Sequence, residues 1–264
     1  MSHARPAALA ATLIAIGFSA TATRTPAADE KGWSTLKGQI VWAGGDVPQQ
    51  KPVNVGNNAA MCNANGPVLS EDWVVNPKTK GVRWVIVWLA REPKDDRPLP
   101  VHKDLLQITQ KEVVMDQPHC AFIPHAVAMR QGQDLLVKNS ASIAHNVNWA
   151  GNPMRNPGGN VIVPAGNSHT ITGLKTDRYP LTVSCNIHPW MKARVAVFDH
   201  PYFAVTDENG NFEIPKAPAG DYRLKIYHDA NGWLGGAAGR DGRKVTIKDG
   251  GVTDLGKIDF VPNK

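Results

Sequence analysis

From Trp33 onward the chain alternates short apolar runs with polar turns. Residues 36–43 (LKGQIVWA) and 82–89 (VRWVIVWL) are rich in β-branched and aromatic residues, which suit a pleated, half-buried surface. Shorter runs of the same kind recur at 113–115, 126–130, 134–138, 161–163, 168–171, 181–185 and 193–198. Turns bearing Gly, Pro or Asn separate most of them. Beyond His200-Pro201 come 202–206, the turn Asp207-Glu208-Asn209-Gly210, and 211–214. The Asn-Gly pair predicts a hairpin there. Residues 221–227, 244–247 and 252–260 complete the set. Helical periodicity is scarce, with 103–109 a modest candidate. The pattern predicts an all-β protein of sandwich or barrel type.

Two stretches interrupt this rhythm. Between the first two runs lies a polar, Asn-rich loop that holds Cys62. Residues 91–100 (REPKDDRPLP) are charged and Pro-rich and read as a boundary.

The first 28 residues read as an export signal: a basic start, an apolar run at 7–20 too short for a comfortable membrane span, then small residues. No other long apolar stretch exists, so no membrane span is expected in the mature chain. Removal of residues 1–28 takes away Arg5 and Arg24 and no acid, which leaves only mild positive charge from a formal +6. Without an arginine-rich helix or aromatic-basic ladder, nucleic acid is not an expected partner. The expected location is periplasmic or secreted. There, three cysteines (Cys62, Cys120 and Cys185) tend to pair, and an odd one is left over. Metal ligation is a use for the odd thiolate; with Cys185 so assigned, a Cys62–Cys120 disulfide is expected.

The segment FAVTDENGNFEIPKAPAGDYRLKIYH, residues 203–228, resembles the carboxypeptidase regulatory-like, or transthyretin-like, β-sandwich. That family also begins with strands like LKGQIVW and VIVWL. The resemblance implies one split sandwich from residues 33–92 plus 200–264, with a second β-domain at 101–199 inserted in it. Two sandwiches joined in tandem are the alternative.

The densest chemistry lies at Cys185-Asn186-Ile187-His188-Pro189-Trp190-Met191, a C-x-x-H-x-x-M loop. Ala144-His145-Asn146-Val147 lies upstream. Together His145, Cys185, His188 and Met191 supply two imidazoles, a thiolate and a thioether. Copper cycling between Cu(II) and Cu(I) uses such a His₂Cys set with a weak axial Met. These residues resemble the cupredoxins of the amicyanin and plastocyanin type, a Greek-key β-sandwich family. Phe122-Ile123-Pro124, Gln131-Gly132-Gln133 and Val137-Lys138-Asn139 also resemble that family's approach to its first histidine.

The resemblance implies one mononuclear type 1 (blue) copper held by those four residues. It also implies Asn146 clamping the ligand loop, and one-electron transfer between a redox protein donor and acceptor. His188 is expected to expose a ring edge as the electron entry point, with Pro189 and Trp190 in an apolar docking surface.

Other chemistry is thinner. No C-x-x-C, G-x-S-x-G, Walker loop or dinucleotide fingerprint occurs, so the chain reads as a non-enzyme. His119 and His125 flank Cys120 and invite a second metal site, but read more simply as structural histidines. The rival function is an extracytoplasmic carbohydrate- or protein-binding module with a non-redox or relic copper site.

Overall fold

A computed structural model describes residue 1 and residues 32–263; the segment read as an export signal falls, apart from Met1, outside the described residues. In chain order the strands are β1 (Trp33–Trp42), β2 (Ile86–Ala90), β3 (Glu112–Met115), β4 (Ala126–Arg130), β5 (Asp134–Lys138), β6 (His145–Ala150), β7 (Gly159–Val163) and β8 (Ser168–Ile171). They continue as β9 (Leu181–Ser184), β10 (Lys192–Phe198), β11 (Phe203–Val205), β12 (Asn211–Pro218), β13 (Gly220–His228), β14 (Gly232–Trp233), β15 (Arg243–Ile247) and β16 (Val252–Phe260). The fold is all-β. The 103–109 stretch holds only a 3-10 turn, Lys103–Leu105, where His102 Nδ1 accepts from the Asp104 N–H at 3.1 Å.

The strands sort into two β-sandwiches. In the first, the sheet β12-β1-β16 faces the sheet β11-β2-β13, which β14 and β15 extend along β13. Leu36, Ile40, Val87, Leu89, Phe212 and Leu224 fill the space between them. In the second, β4-β10-β9-β6-β7 faces β3-β5-β8 around Met115, Phe122, Met129, Leu135, Val147 and Leu181. Burial of each such side chain contributes about 1.5–3 kcal/mol, so both cores are substantial.

Two expectations need correction. The 82–89 run does not form one strand: Trp84 has φ +66°, and regular pairing begins only at Ile86. Thr206 bridges the break, its Oγ1 accepting from the Val85 N–H (2.9 Å) and donating to the Val82 carbonyl (2.7 Å). The Asn209-Gly210 turn is not a hairpin either. Asp207 and Asn211 close it locally, but β11 pairs with β2 while β12 pairs with β1, so the turn carries the chain between sheets. Gly210 has φ +75°, and a Cβ there would stand 2.2 Å from the Ile40 carbonyl oxygen, which a larger residue could not satisfy.

The two sandwiches share a third apolar cluster. Ile86, Trp88, Tyr227 and Trp233 of the first meet Ala126, Ala196 and Phe198 of the second, with Trp88 5.2 Å from Phe198 between ring centroids. Charges ring this contact. His125 places Nε2 3.2 Å from Asp229 and Nδ1 3.6 Å from Glu71, and Arg194 also pairs with Asp229.

The Asn-rich loop is a cap on the second sandwich. Backbone bonds join Val53 to Val68 and Ser70 to Lys51. Its apolar residues Val53, Val55 and Val68 pack with the core of β3–β10, and not with that of its flanking strands β1 and β2. A short helical turn, Ala59–Cys62, brings Cys62 into a disulfide with Cys120.

Candidate metal centre

His145 is the first residue of β6, paired in register with Val163 of β7. Asn139 fixes the approach by donating through Nδ2 to the Ile143 (2.9 Å) and Val163 (2.8 Å) carbonyls. Cys185 directly follows β9, and Met191 directly precedes β10. Ser184 and Lys192 pair across the hairpin, so residues 185–191 form its loop. Within it the Cys185 N–H donates to the Met191 carbonyl (3.1 Å), and the Met191 N–H donates to the His188 carbonyl (2.9 Å). This tight return turns three candidate ligands into one end of the sandwich. All four candidates are buried.

Three of the four converge closely. His145 Nδ1 and His188 Nδ1 face each other at 2.9 Å, and Cys185 Sγ lies 3.7 Å from His188 Nδ1. One ligand atom from each of His145, Cys185 and His188 lies within 4.8 Å of the others. Met191 is buried in the core beside them.

Asn146 ties the strand to the loop. Its Oδ1 accepts from the Asn186 N–H (2.7 Å), the Ile187 N–H (3.2 Å) and the Cys185 thiol (3.2 Å), while its Nδ2 donates to Asn160 Oδ1 (2.7 Å). The clamp expected of Asn146 is thus present in the geometry. The bond at the sulfur runs from the thiol to the amide oxygen.

The environment suits a cation with soft and nitrogen donors. Burial holds His145 down to about 4, with neighbouring His188 adding to the effect, and burial also lowers His188. Both imidazoles are therefore neutral near pH 7 and offer lone pairs. Their facing Nδ1 atoms can share only one proton, and each Nε2 is buried with no hydrogen-bond partner among the described residues. Two neutral imidazoles and a thiol converging in a buried pocket fit a thiophilic transition metal better than an isolated polar cluster.

The structure overturns the expectation of an exposed His188 edge. His188 is only 1% exposed, although Ile187 and Pro189 on either side of it are exposed. The cover is the cap. A ring nitrogen of His188 and the sulfurs of Cys62 and Cys120 all lie within 4.8 Å of one another. Trp190 is half-buried, its ring centroid 5.1 Å from that of His188 and its Nε1 donating to the Cys120 carbonyl at 3.0 Å. It seals the cap against the loop.

Sequence reasoning missed this cover. The available signal was Val53, Val55 and Val68 near Cys62, apolar residues in an otherwise polar loop. The histidines beside Cys120 do not make a second metal site: His125 is committed to Glu71 and Asp229. Among the described residues neither it nor His119 joins a set of three closely spaced donors.

No protein-family model matches the chain, and no curated protein matches it. Solved structures do. A Cu(I) amicyanin with a methionine-to-alanine substitution is 14% identical, covering 35% of this chain and 87% of that one, with a TM-score of 0.30. An oxidised amicyanin with a proline-to-glycine substitution is 14% identical, covering 40% and 96%, with a TM-score of 0.30. A purple cupredoxin from Nitrosopumilus maritimus is 14% identical, covering 32% and 98%, with a TM-score of 0.28.

Proposed function

We propose that this chain is an exported one-electron carrier with a single mononuclear type 1 copper held by His145, Cys185, His188 and Met191. The observation that carries the reading is the convergence of His145 Nδ1, His188 Nδ1 and Cys185 Sγ in a buried pocket. Bound copper would supply one-electron redox chemistry between Cu(II) and Cu(I).

The chain's own residues supply the rest. Strands β6, β9 and β10 hold the donors on rigid elements, so little rearrangement accompanies a change of charge. Asn146 fixes the loop and accepts the thiol proton's hydrogen bond in the metal-free state. The cap excludes water, which strengthens electrostatic interactions inside the pocket.

The Cys62–Cys120 disulfide supports an oxidising, extracytoplasmic location. In this reading the partners are a protein electron donor and a protein acceptor. Residues 101–199 form the copper module, and 33–92 with 200–264 form a transthyretin-like support. No bond chemistry is assigned to the chain.

The test is the visible spectrum of the protein loaded with Cu(II), beside Cys185→Ser. An intense thiolate-to-copper absorption is expected that bleaches with ascorbate and is absent in the variant. A colourless wild-type protein that takes up no copper sinks the reading and favours a binding module.

A further inference from the structure

The disulfide that seals the cap lies against a ligand of the buried set. Sulfurs of Cys62 and Cys120 and one ring nitrogen of His188 lie within 4.8 Å of one another. His188 turns Nδ1 toward His145 (2.9 Å) and Cys185 (3.7 Å), so Nε2 is the nitrogen left for another partner. That Nε2 is buried and has no hydrogen-bond partner among the described residues, on a side chain only 1% exposed. A buried imidazole nitrogen with nothing to bond is an uncompensated cost unless something else uses it. Cys120, Trp190 and Met191 line a neighbouring cavity of about 120 Å³, which gives the Cys120 side of the disulfide room to move.

We propose that Cys62 and Cys120, in their dithiol form, make a second metal site with His188 Nε2, and that it takes one Cu(I) ion. Two thiolates and an imidazole are a soft, three-donor set, which suits monovalent copper. The redox step balances with a dithiol reductant. The S–S bond accepts two electrons and two protons and becomes two thiols, while the reductant becomes a disulfide. Each thiol then releases its proton as it binds the metal, and where His188 Nδ1 also holds a metal the ring gives up its remaining N–H proton and bridges the two sites as an imidazolate. The shared imidazole puts this site one ring away from the buried His145/Cys185/His188 set, on its His188 side. A metal ion captured under the cap therefore stands next to its final position. The identity of the metal rests on the copper reading of the buried set; the existence of the site rests on the Cys62, Cys120 and His188 geometry.

The test is an anaerobic Cu(I) titration against a chromogenic Cu(I) chelator, with free thiols counted in parallel. The full chain is compared as the disulfide and after reduction by a small dithiol that is then removed. One Cu(I) per chain is expected for the disulfide form and two for the dithiol form. Cys62→Ser/Cys120→Ser should hold one under both conditions. Cys185→Ser in the dithiol form should still hold one, at Cys62 and Cys120, and His188→Ala in that background should weaken it.

Equal stoichiometry in the disulfide and dithiol forms, with two extra thiols counted, overturns the proposal. Loss of the near-ultraviolet circular dichroism on reduction also overturns it, because the site needs the folded cap. No Cu(I) in the disulfide form, with one gained on reduction, sinks the buried-set reading instead and leaves the dithiol site standing.

Discussion

A single side chain, Asn146, organises the ligand loop. One oxygen gathers two backbone N–H groups and a thiol, and among the described residues no other side chain bonds the Asn186 and Ile187 amides. Asn146→Ala leaves both amides without their acceptor, at a cost of about 1–3 kcal/mol. The expected result is a lower thermal midpoint for the metal-free protein and a broadened copper absorption in the loaded one. An unchanged midpoint would show that the loop is held by its other bonds, Cys185 N–H to Met191, Met191 N–H to His188 and Asn148 Nδ2 to Asn186 Oδ1, without Asn146. At this scale the sequence was informative about residue type. Two histidines, a cysteine and a methionine stood out by chemistry and spacing, and the structure brings His145, Cys185 and His188 together. Their surroundings were not legible. His145 begins a strand and does not sit on a loop, and His188 is covered by Cys120 and Cys62, which lie 68 and 126 positions before it in the chain. Contacts of that range leave no local pattern to read.

At the scale of elements, short strands were read well where turns bounded them. Residues 126–130, 134–138, 168–171 and 252–260 match β4, β5, β8 and β16. The run at 82–89 misled because β-branched and aromatic residues suit a strand whether or not its backbone is regular. Trp84 at φ +66° lies in a region that bulky residues rarely adopt, and the guanidinium of Arg83 stacks 4.2 Å from its ring centroid. Thr206, from β11's far end, repairs the lost pairing. Thr206→Val keeps the shape and leaves a buried N–H and a buried carbonyl unpaired, costing about 1–3 kcal/mol. Thr206→Ser keeps the hydroxyl and loses one methyl group, worth about 0.8 kcal/mol. Denaturant unfolding should therefore rank the valine variant below the serine variant. The reverse order would mean that the methyl packing, and not the hydroxyl, holds the break together.

Across the whole molecule, buried histidines set the response to acid. Burial, before any neighbouring charge, holds both His200 and His228 at about 4. An unfolded chain would protonate them near 6.5, so the folded state binds fewer protons between those values. Stability from their neutral forms is complete above pH 6.5 and is lost as pH falls toward 4, at about 1.4 kcal/mol per unit of depression. Asp229 acts lower still. Burial would raise its carboxyl, but His125 and Arg194 hold it at about 2, so its share is lost between roughly pH 4 and 2. Thermal midpoints should fall between pH 6.5 and 4, and the fall should shrink in His228→Gln. A flat profile in that window, or an equal slope in the variant, contradicts this account.

The first and last strands lie side by side: β1 runs parallel to β16, and Ser34 bonds to Gly251 across 217 positions of sequence. Their ladder cannot start until nearly the whole chain is available, whereas every strand of the second sandwich lies between residues 112 and 198. Loop-closure entropy grows by only about 0.6 kcal/mol per doubling of length, and an already folded middle shortens the effective loop further. The chain order lets the sandwich holding the candidate metal ligands complete itself early, with the outer one closing around it like a clasp on a finished piece.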